Sequence, residues 1–151
     1  MNRDFVEMLS ALSAAGAEFL IVGAHALAAH GLPRATGDLD IWVKPSTENA
    51  ERVWCALTTF GAPLDALSLA DLLRDDTVFQ IGIAPSRIDL LTGISGVGFD
   101  EAWPKRLAVE ISGLSVPVLG REELIRNKET VGRPQDLADV AWLRHPKSPR
   151  D

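Results

Sequence analysis

Three acidic residues are placed to do chemistry in this chain. Asp38 and Asp40 stand two apart in Asp38-Leu39-Asp40-Ile41-Trp42-Val43. The polar and apolar alternation predicts a strand over 38–43, and in a strand residues i and i+2 share a face. The two carboxylates then sit side by side, while Leu39 and Ile41 turn into the core. Two anions on one face repel, and a divalent cation relieves the repulsion. Mg2+ suits such a place, because it takes hard oxygen ligands: one or two carboxylates with water and substrate phosphates. The alternative is a solvated strand start with a loop-capping Asp. Asp89 follows in Ser86-Arg87-Ile88-Asp89-Leu90-Leu91. An Asp inside an apolar strand is costly unless it is paired or bound to a metal. Arg87, on the same face, is the candidate ion-pair partner. If the strand over 87–92 runs beside 38–43, Asp89 becomes a third carboxylate at the same spot. Such a set suits two-metal phosphoryl transfer.

Other residues could serve this centre. Gly23-Ala24-His25 lies at a predicted strand-to-helix junction, where glycine lets backbone amides approach a ligand and a helix start favours phosphate. A glycine needed only for packing is the competing explanation. Arg34, in the loop Pro33-Arg34-Ala35-Thr36-Gly37, could bind a γ-phosphate or pair with Asp38 or Asp40; Thr36 could support the turn. Lys128 and Arg133 bracket the break between the last two helices. They could reach nucleotide phosphates, but pairing with Asp136 and Asp139 is the favoured role. His25 and His30, five apart, lie about 140° apart on a helix and cannot chelate one ion. Cys55 is expected as a buried thiol. Gly93-Ile94-Ser95-Gly96-Val97-Gly98 has the reverse of the dinucleotide spacing and is expected as a mobile loop beside Asp89. No P-loop pattern occurs. The four tryptophans are scattered and suit packing.

The elements that must hold these residues are legible in outline. Phe5, Met8, Leu9 and Leu12 mark one helical face, stopped by Gly16. A buried strand over 18–23 leads into an alanine-rich helix over 24–29. After the strand over 38–43, Thr47 is the expected N-cap of a helix that Gly61 closes. A short helix over 68–74 carries Asp71 three residues after Ser68. Strands over 77–83 and 87–92 form a hairpin around Ala84-Pro85-Ser86. A second strand pair covers 106–111 and 114–118. Helices over 121–131 and 134–144 follow, the latter with Pro134 at its first position. The fold class is α/β, a single domain over residues 1–145 with a mixed, mostly antiparallel-edged sheet flanked by helices; the tail 146–151 is expected to fray.

Composition narrows the classes. The 151 residues carry 21 acidic and 15 basic side chains, a formal charge of −6. That balance does not favour bulk nucleic-acid binding. The apolar share of 46% supports a real core and argues against disorder. No apolar run is long enough for a membrane span, and the N-terminal segment lacks a secretory cleavage pattern. One cysteine excludes an internal disulfide framework or a multi-cysteine zinc site. Cytoplasm is the expected compartment.

In order, these features resemble the nucleotidyltransferase superfamily that includes DNA polymerase beta. They are most similar to its small bacterial stand-alone members and the AbiEii-like toxin group. Phe19 to Val43 carries the likeness, with Gly23, Arg34, Thr36, Asp38 and Asp40 at the telling positions. Arg87 to Leu91 supplies Asp89. Residues 123–143, with Lys128, Arg133, Asp136 and Asp139, resemble the family's C-terminal helices. The resemblance implies transfer of a nucleoside monophosphate from an NTP to a hydroxyl acceptor on RNA (a tRNA end), a protein or a small molecule. It implies two Mg2+ ions, or Mn2+ in their place, held by Asp38, Asp40 and Asp89. It places the triphosphate at Gly23, Ala24 and His25, with Arg34, Thr36, Lys128 and Arg133 as further nucleotide contacts. The family usually has Gly-Gly or Gly-Ser where this chain has Gly23-Ala24, so a hydroxyl is missing. The alternative is therefore a catalytically inactive domain of this fold that binds a partner, such as the antitoxin of a toxin–antitoxin pair. A metal-dependent nuclease ranks last, because neither acidic strand carries the Lys or His that such sites add.

Overall fold

The fold is taken from a computed structural model that describes residues 1–34 and 37–145. The expectations for Thr36 and for a frayed tail fall outside them.

The chain begins with α1 (Arg3–Ala14), whose Phe5, Met8, Leu9 and Leu12 are buried as their spacing requires. The Asn2 side chain caps it, accepting from the Asp4 N–H at 2.8 Å. Then come β1 (Phe19–Val22), α2 (Gly23–Ala29), β2 (Leu39–Val43) and α3 (Thr47–Phe60). Ser46, not Thr47, is the N-cap of α3: its side chain accepts from the Asn49 N–H, and Thr47 already lies inside the helix. A 3-10 turn over Leu69–Leu73 replaces the short helix expected there, with the Ser68–Asp71 capping box in place. The hairpin β3 (Val78–Ile81) and β4 (Ile88–Leu91) follows. A short α4 (Phe99–Ala102) and a 3-10 turn (Trp103–Lys105) precede β5 (Leu107–Ile111) and β6 (Leu114–Val118). Helices α5 (Arg121–Val131) and α6 (Pro134–Arg144) close the described chain.

The sheet order is β3-β4-β2-β1-β6-β5. The pairs β2/β4 and β1/β6 are parallel; β1/β2, β3/β4 and β5/β6 are antiparallel. Two antiparallel hairpins therefore form the edges of a mixed α/β sheet, as the sequence predicts. A parallel pair needs a long crossover, and residues 44–87, including α3 and β3, supply it between β2 and β4. The core is one contiguous cluster that joins α1, α3 and the central strands through Leu9, Leu20, Ile41, Leu57 and Leu90. Buried Asn49 ties α3 to the strand ends. Its amide donates to the carbonyls of Glu18 (2.9 Å) and Lys44 (3.0 Å), and its oxygen accepts from the Glu18 N–H at 2.7 Å. All of its polar atoms are thus partnered, so its burial carries no desolvation debt.

Two expectations are corrected here. Cys55 is exposed: the inward stripe of α3 is Asn49, Ala50, Val53, Ala56 and Leu57, and position 55 falls on the opposite side. The glycine-rich loop 93–98 is anchored to α5. Arg126 Nε donates to the Gly96 carbonyl at 2.9 Å, and the Asn127 amide donates to the Ser95 carbonyl at 3.0 Å. Gly96 has φ +81°, and a Cβ there would run into Thr130.

Candidate functional site

Strand register assembles the acidic cluster. Across the parallel β2/β4 pair, Asp40 stands opposite Asp89, with Leu39 opposite Ile88. Both acids occupy the second position of their strands, so both project from the amino ends of β2 and β4 on one face. On its other side Asp40 stands opposite Val22, the last residue of antiparallel β1. The turn after β1 thereby arrives at the Asp40 side chain. Asp38 lies two residues before Asp40, just ahead of the strand.

Gly23 makes that arrival sterically feasible. Its φ is +67°, and a Cβ there would collide with Asp40 Oδ2 and lie 3.2 Å from Asp40 Cγ. Glycine is needed at this position for a positive φ and for close approach to a carboxylate. The seven-residue α2 that begins with Gly23 has no side-chain cap, and Ala24 offers only a methyl group.

The electrostatics follow from the crowding. The Asp40 pKa is pushed up from 3.8 to about 6, first by burial and then by the charges of Asp89 and Asp38; Arg87 offsets this in part. Arg87 grips Asp89 as a two-pronged fork, with Nε donating to Oδ1 at 3.0 Å and Nη2 to Oδ2 at 2.9 Å. The same Nε lies 3.7 Å from Asp38 Oδ2. The ion pair expected for Arg87 is therefore present, and it reaches a second acid as well. Gln80 on β3 stands opposite Asp89 in the antiparallel register. Sequence reasoning passed over it, although the hairpin turn fixes that pairing once both strands are placed.

The donor set suits a hard divalent ion: three carboxylates, one of them with its pKa raised by burial and by its acidic neighbours. As the side chains stand, no three His, Cys, Asp or Glu residues among those described converge on a single ion position. The fork of Arg87 takes both oxygens of Asp89.

The other predicted contacts gather in a second cluster. Arg34 donates to both oxygens of Asp139, with Nη1 to Oδ2 at 3.0 Å. Its acidic partner is thus on α6, not the expected Asp38 or Asp40. Lys128, buried, lies 2.9 Å from Asp139 Oδ2 and 3.4 Å from Asp136 Oδ1. Arg133 Nε donates to Asp136 Oδ2 at 2.7 Å, and Asp136 also accepts the Arg133 N–H. Hydrogen bonds from Arg133 and then Lys128, against the cost of burial, hold the Asp136 pKa down at about 2. Burial alone would raise the Asp139 pKa, but hydrogen bonds from Arg34, Lys128 and Gln135 outweigh it and lower the value. Lys128 and Arg133 thus take the structural role favoured for them. His25 packs edge-on against Phe5, with ring centroids 5.7 Å apart, and burial lowers its pKa.

A cleft of about 460 Å³ opens near the carboxyl ends of β2 and β4, lined by Trp42, Lys44, Thr92 and the 93–98 loop. That loop therefore borders this cleft at the opposite strand ends from Asp40 and Asp89. No described helix is long and apolar enough to cross a membrane.

No family model matches this sequence, and no curated protein matches it significantly. In three dimensions the chain is similar to the crystal structure of a Thermotoga maritima protein described, provisionally, as a nucleotidyltransferase. The TM-score is 0.59 at 18% identity, over 94% of this chain and 91% of the other. At that identity the likeness is one of fold.

Proposed function

We propose that this protein is a small nucleotidyltransferase that moves a nucleoside monophosphate from an NTP to a hydroxyl acceptor on an RNA, a protein or a small molecule. The observation that carries the proposal is the register of β2 against β4. It sets Asp40 beside Asp89, with Asp38 one strand step away and Gly23 closing over Asp40. Nothing in local folding rewards such a gathering of acids, whose cost is visible in the raised Asp40 pKa. Two Mg2+ ions, or Mn2+ in their place, held by Asp38, Asp40 and Asp89, would supply Lewis-acid activation of the acceptor and neutralise charge on the departing pyrophosphate. Gly23 keeps the approach to Asp40 clear of side chains. Asp89, once released from the fork of Arg87, would be the group to receive the acceptor's proton. The Arg34, Lys128 and Arg133 cluster would serve the nucleotide indirectly, by tying Arg34 to Asp139 on α6. The fold shared with the Thermotoga maritima protein supports the assignment, as does the sequence resemblance to the small stand-alone and AbiEii-like members.

The test is transfer of label from each of the four NTPs, with Mg2+ or Mn2+, to RNA and to protein. Wild type transfers label and Asp40→Ala does not. Equal transfer by both would overturn the assignment. Ala24 favours a second reading, in which the fold binds a partner protein such as an antitoxin without catalysis. Calorimetry with ATP, CTP, GTP and UTP plus Mg2+ separates the two, since a binding module of that kind takes up no NTP.

A further inference from the structure

Arg87 lies within the acidic cluster. Its fork covers both oxygens of Asp89, and its Nε reaches toward Asp38. The two partners differ in exposure: the Asp89 side chain is 11% exposed and that of Arg87 is 36% exposed. Arg87 can therefore release Asp89 and turn its charge to water, whereas Asp89 cannot leave the sheet. A charge-assisted fork of this geometry is among the stronger side-chain pairs. A divalent ion at Asp40 and Asp89 would meet the guanidinium at close range, and like charges a few ångströms apart repel strongly in a partly buried site.

We propose that Arg87 is an internal counter-ion that stands in for a divalent cation. It holds Asp89 in the metal-free protein, must let go before Asp89 can ligate, and so sets the cation affinity of the site. The proposal rests on the metal-dependent reading above and goes beyond it in naming the residue that competes with the metal. It also accounts for a site rich in carboxylates that shows no convergent ligand set: the third ligand is engaged elsewhere.

The experiment uses the full chain with Mn2+ and Mg2+ as probes. Calorimetry and the electron paramagnetic resonance signal of free Mn2+ give the affinity of wild type, Arg87→Gln and Arg87→Lys, with Asp89→Asn as control. Arg87→Gln should bind Mn2+ about tenfold tighter or more, as expected when a charged hydrogen-bonded pair no longer has to break. Arg87→Lys, which keeps the charge but loses the fork, should fall between. Circular dichroism reports whether each variant folds. If Arg87→Gln does not fold, Arg87→Lys and the wild-type NMR signal of the Arg87 Nε–H decide. That signal should shift on adding Mg2+ to wild type and stay fixed in Asp89→Asn. Unchanged or weaker Mn2+ binding in the Arg87 variants would overturn the proposal, as would an unmoved signal at saturating Mg2+ or no cation binding by any variant. Expected affinities without nucleotide transfer would remove the enzymatic reading and leave Arg87 as the competing cation. Transfer with affinities indifferent to Arg87 would do the reverse.

Discussion

Asp40→Asn should stabilise the metal-free protein at neutral pH, although most substitutions at partly buried polar positions destabilise. The folded-state pKa of Asp40 is about 6, against 3.8 for the ordinary side chain. Above pH 6 the carboxylate is ionised in both folded and unfolded chains, and the fold bears the whole cost of its burial beside Asp89 and Asp38. At about 1.4 kcal/mol per tenfold change in proton affinity, that cost is about 3 kcal/mol. Asp40 still meets water, so solvent screening reduces it to about 1 to 2 kcal/mol. As pH falls from about 6 to 3.8, the folded protein takes a proton that the unfolded chain does not yet hold, and the cost fades; below 3.8 it is gone. Asn removes the charge and keeps the shape. Urea unfolding in a chelator-containing buffer should therefore show Asp40→Asn more stable than wild type by about 1 to 2 kcal/mol at pH 8. The two should converge near pH 4. Mg2+ should narrow the gap at pH 8 by stabilising wild type alone, as any ligand of the folded state does. A variant less stable than wild type by the same amount at both pH values would refute the reasoning, and Asp40 would then be an ordinary hydrogen-bond acceptor.

Three further outcomes are open to direct measurement. Gly23→Ala should lower the urea midpoint by an amount equivalent to about 2 kcal/mol, since it puts a Cβ at φ +67° against the Asp40 carboxylate. Asp139→Asn should cost about 3 kcal/mol or more in denaturant unfolding, because it leaves buried Lys128 and Arg34 without their shared carboxylate; a loss under 1 kcal/mol would show that the cluster is solvated. Cys55 should react with a thiol reagent in the native protein at close to the rate of the unfolded chain, and protection until denaturation would contradict its exposure.

Local features of the fold were legible because they depend on neighbours in sequence. The spacing of Phe5, Met8, Leu9 and Leu12 gave α1 its buried face, and the alternation in residues 38–43 gave β2 its two sides. The acidic site depended on one non-local condition, β4 lying beside β2. The residue pattern stated that condition but could not establish it, and the register of Asp40 against Asp89 now meets it. Arg34 shows where local reasoning stops. Its partner Asp139 is 105 positions away, and nothing near Arg34 distinguishes that acid from Asp38. Cys55 is different in kind. The helical stripe through Ala50, Val53 and Leu57 already places it outward, and the general tendency of cysteine to be buried outweighed that geometry. The 99–105 segment was missed because helices this short rest on tertiary support: Phe99 packs edge-on against Trp42 with centroids 5.1 Å apart and stacks on Trp103.

The charged cluster around Lys128 also bears on how the chain is made. Synthesis runs from the amino terminus, so α5 leaves the ribosome before α6. Until residues 134–144 emerge, Lys128 has neither Asp136 nor Asp139, and an ammonium group cannot enter the interior unaccompanied. Arg34 likewise waits for Asp139. The acids of β2 and β4 are synthesised long before the Asp139 with which Arg34 pairs. A nascent chain stalled before α6 should therefore be cleaved next to Arg34 more readily than the chain that carries Asp139.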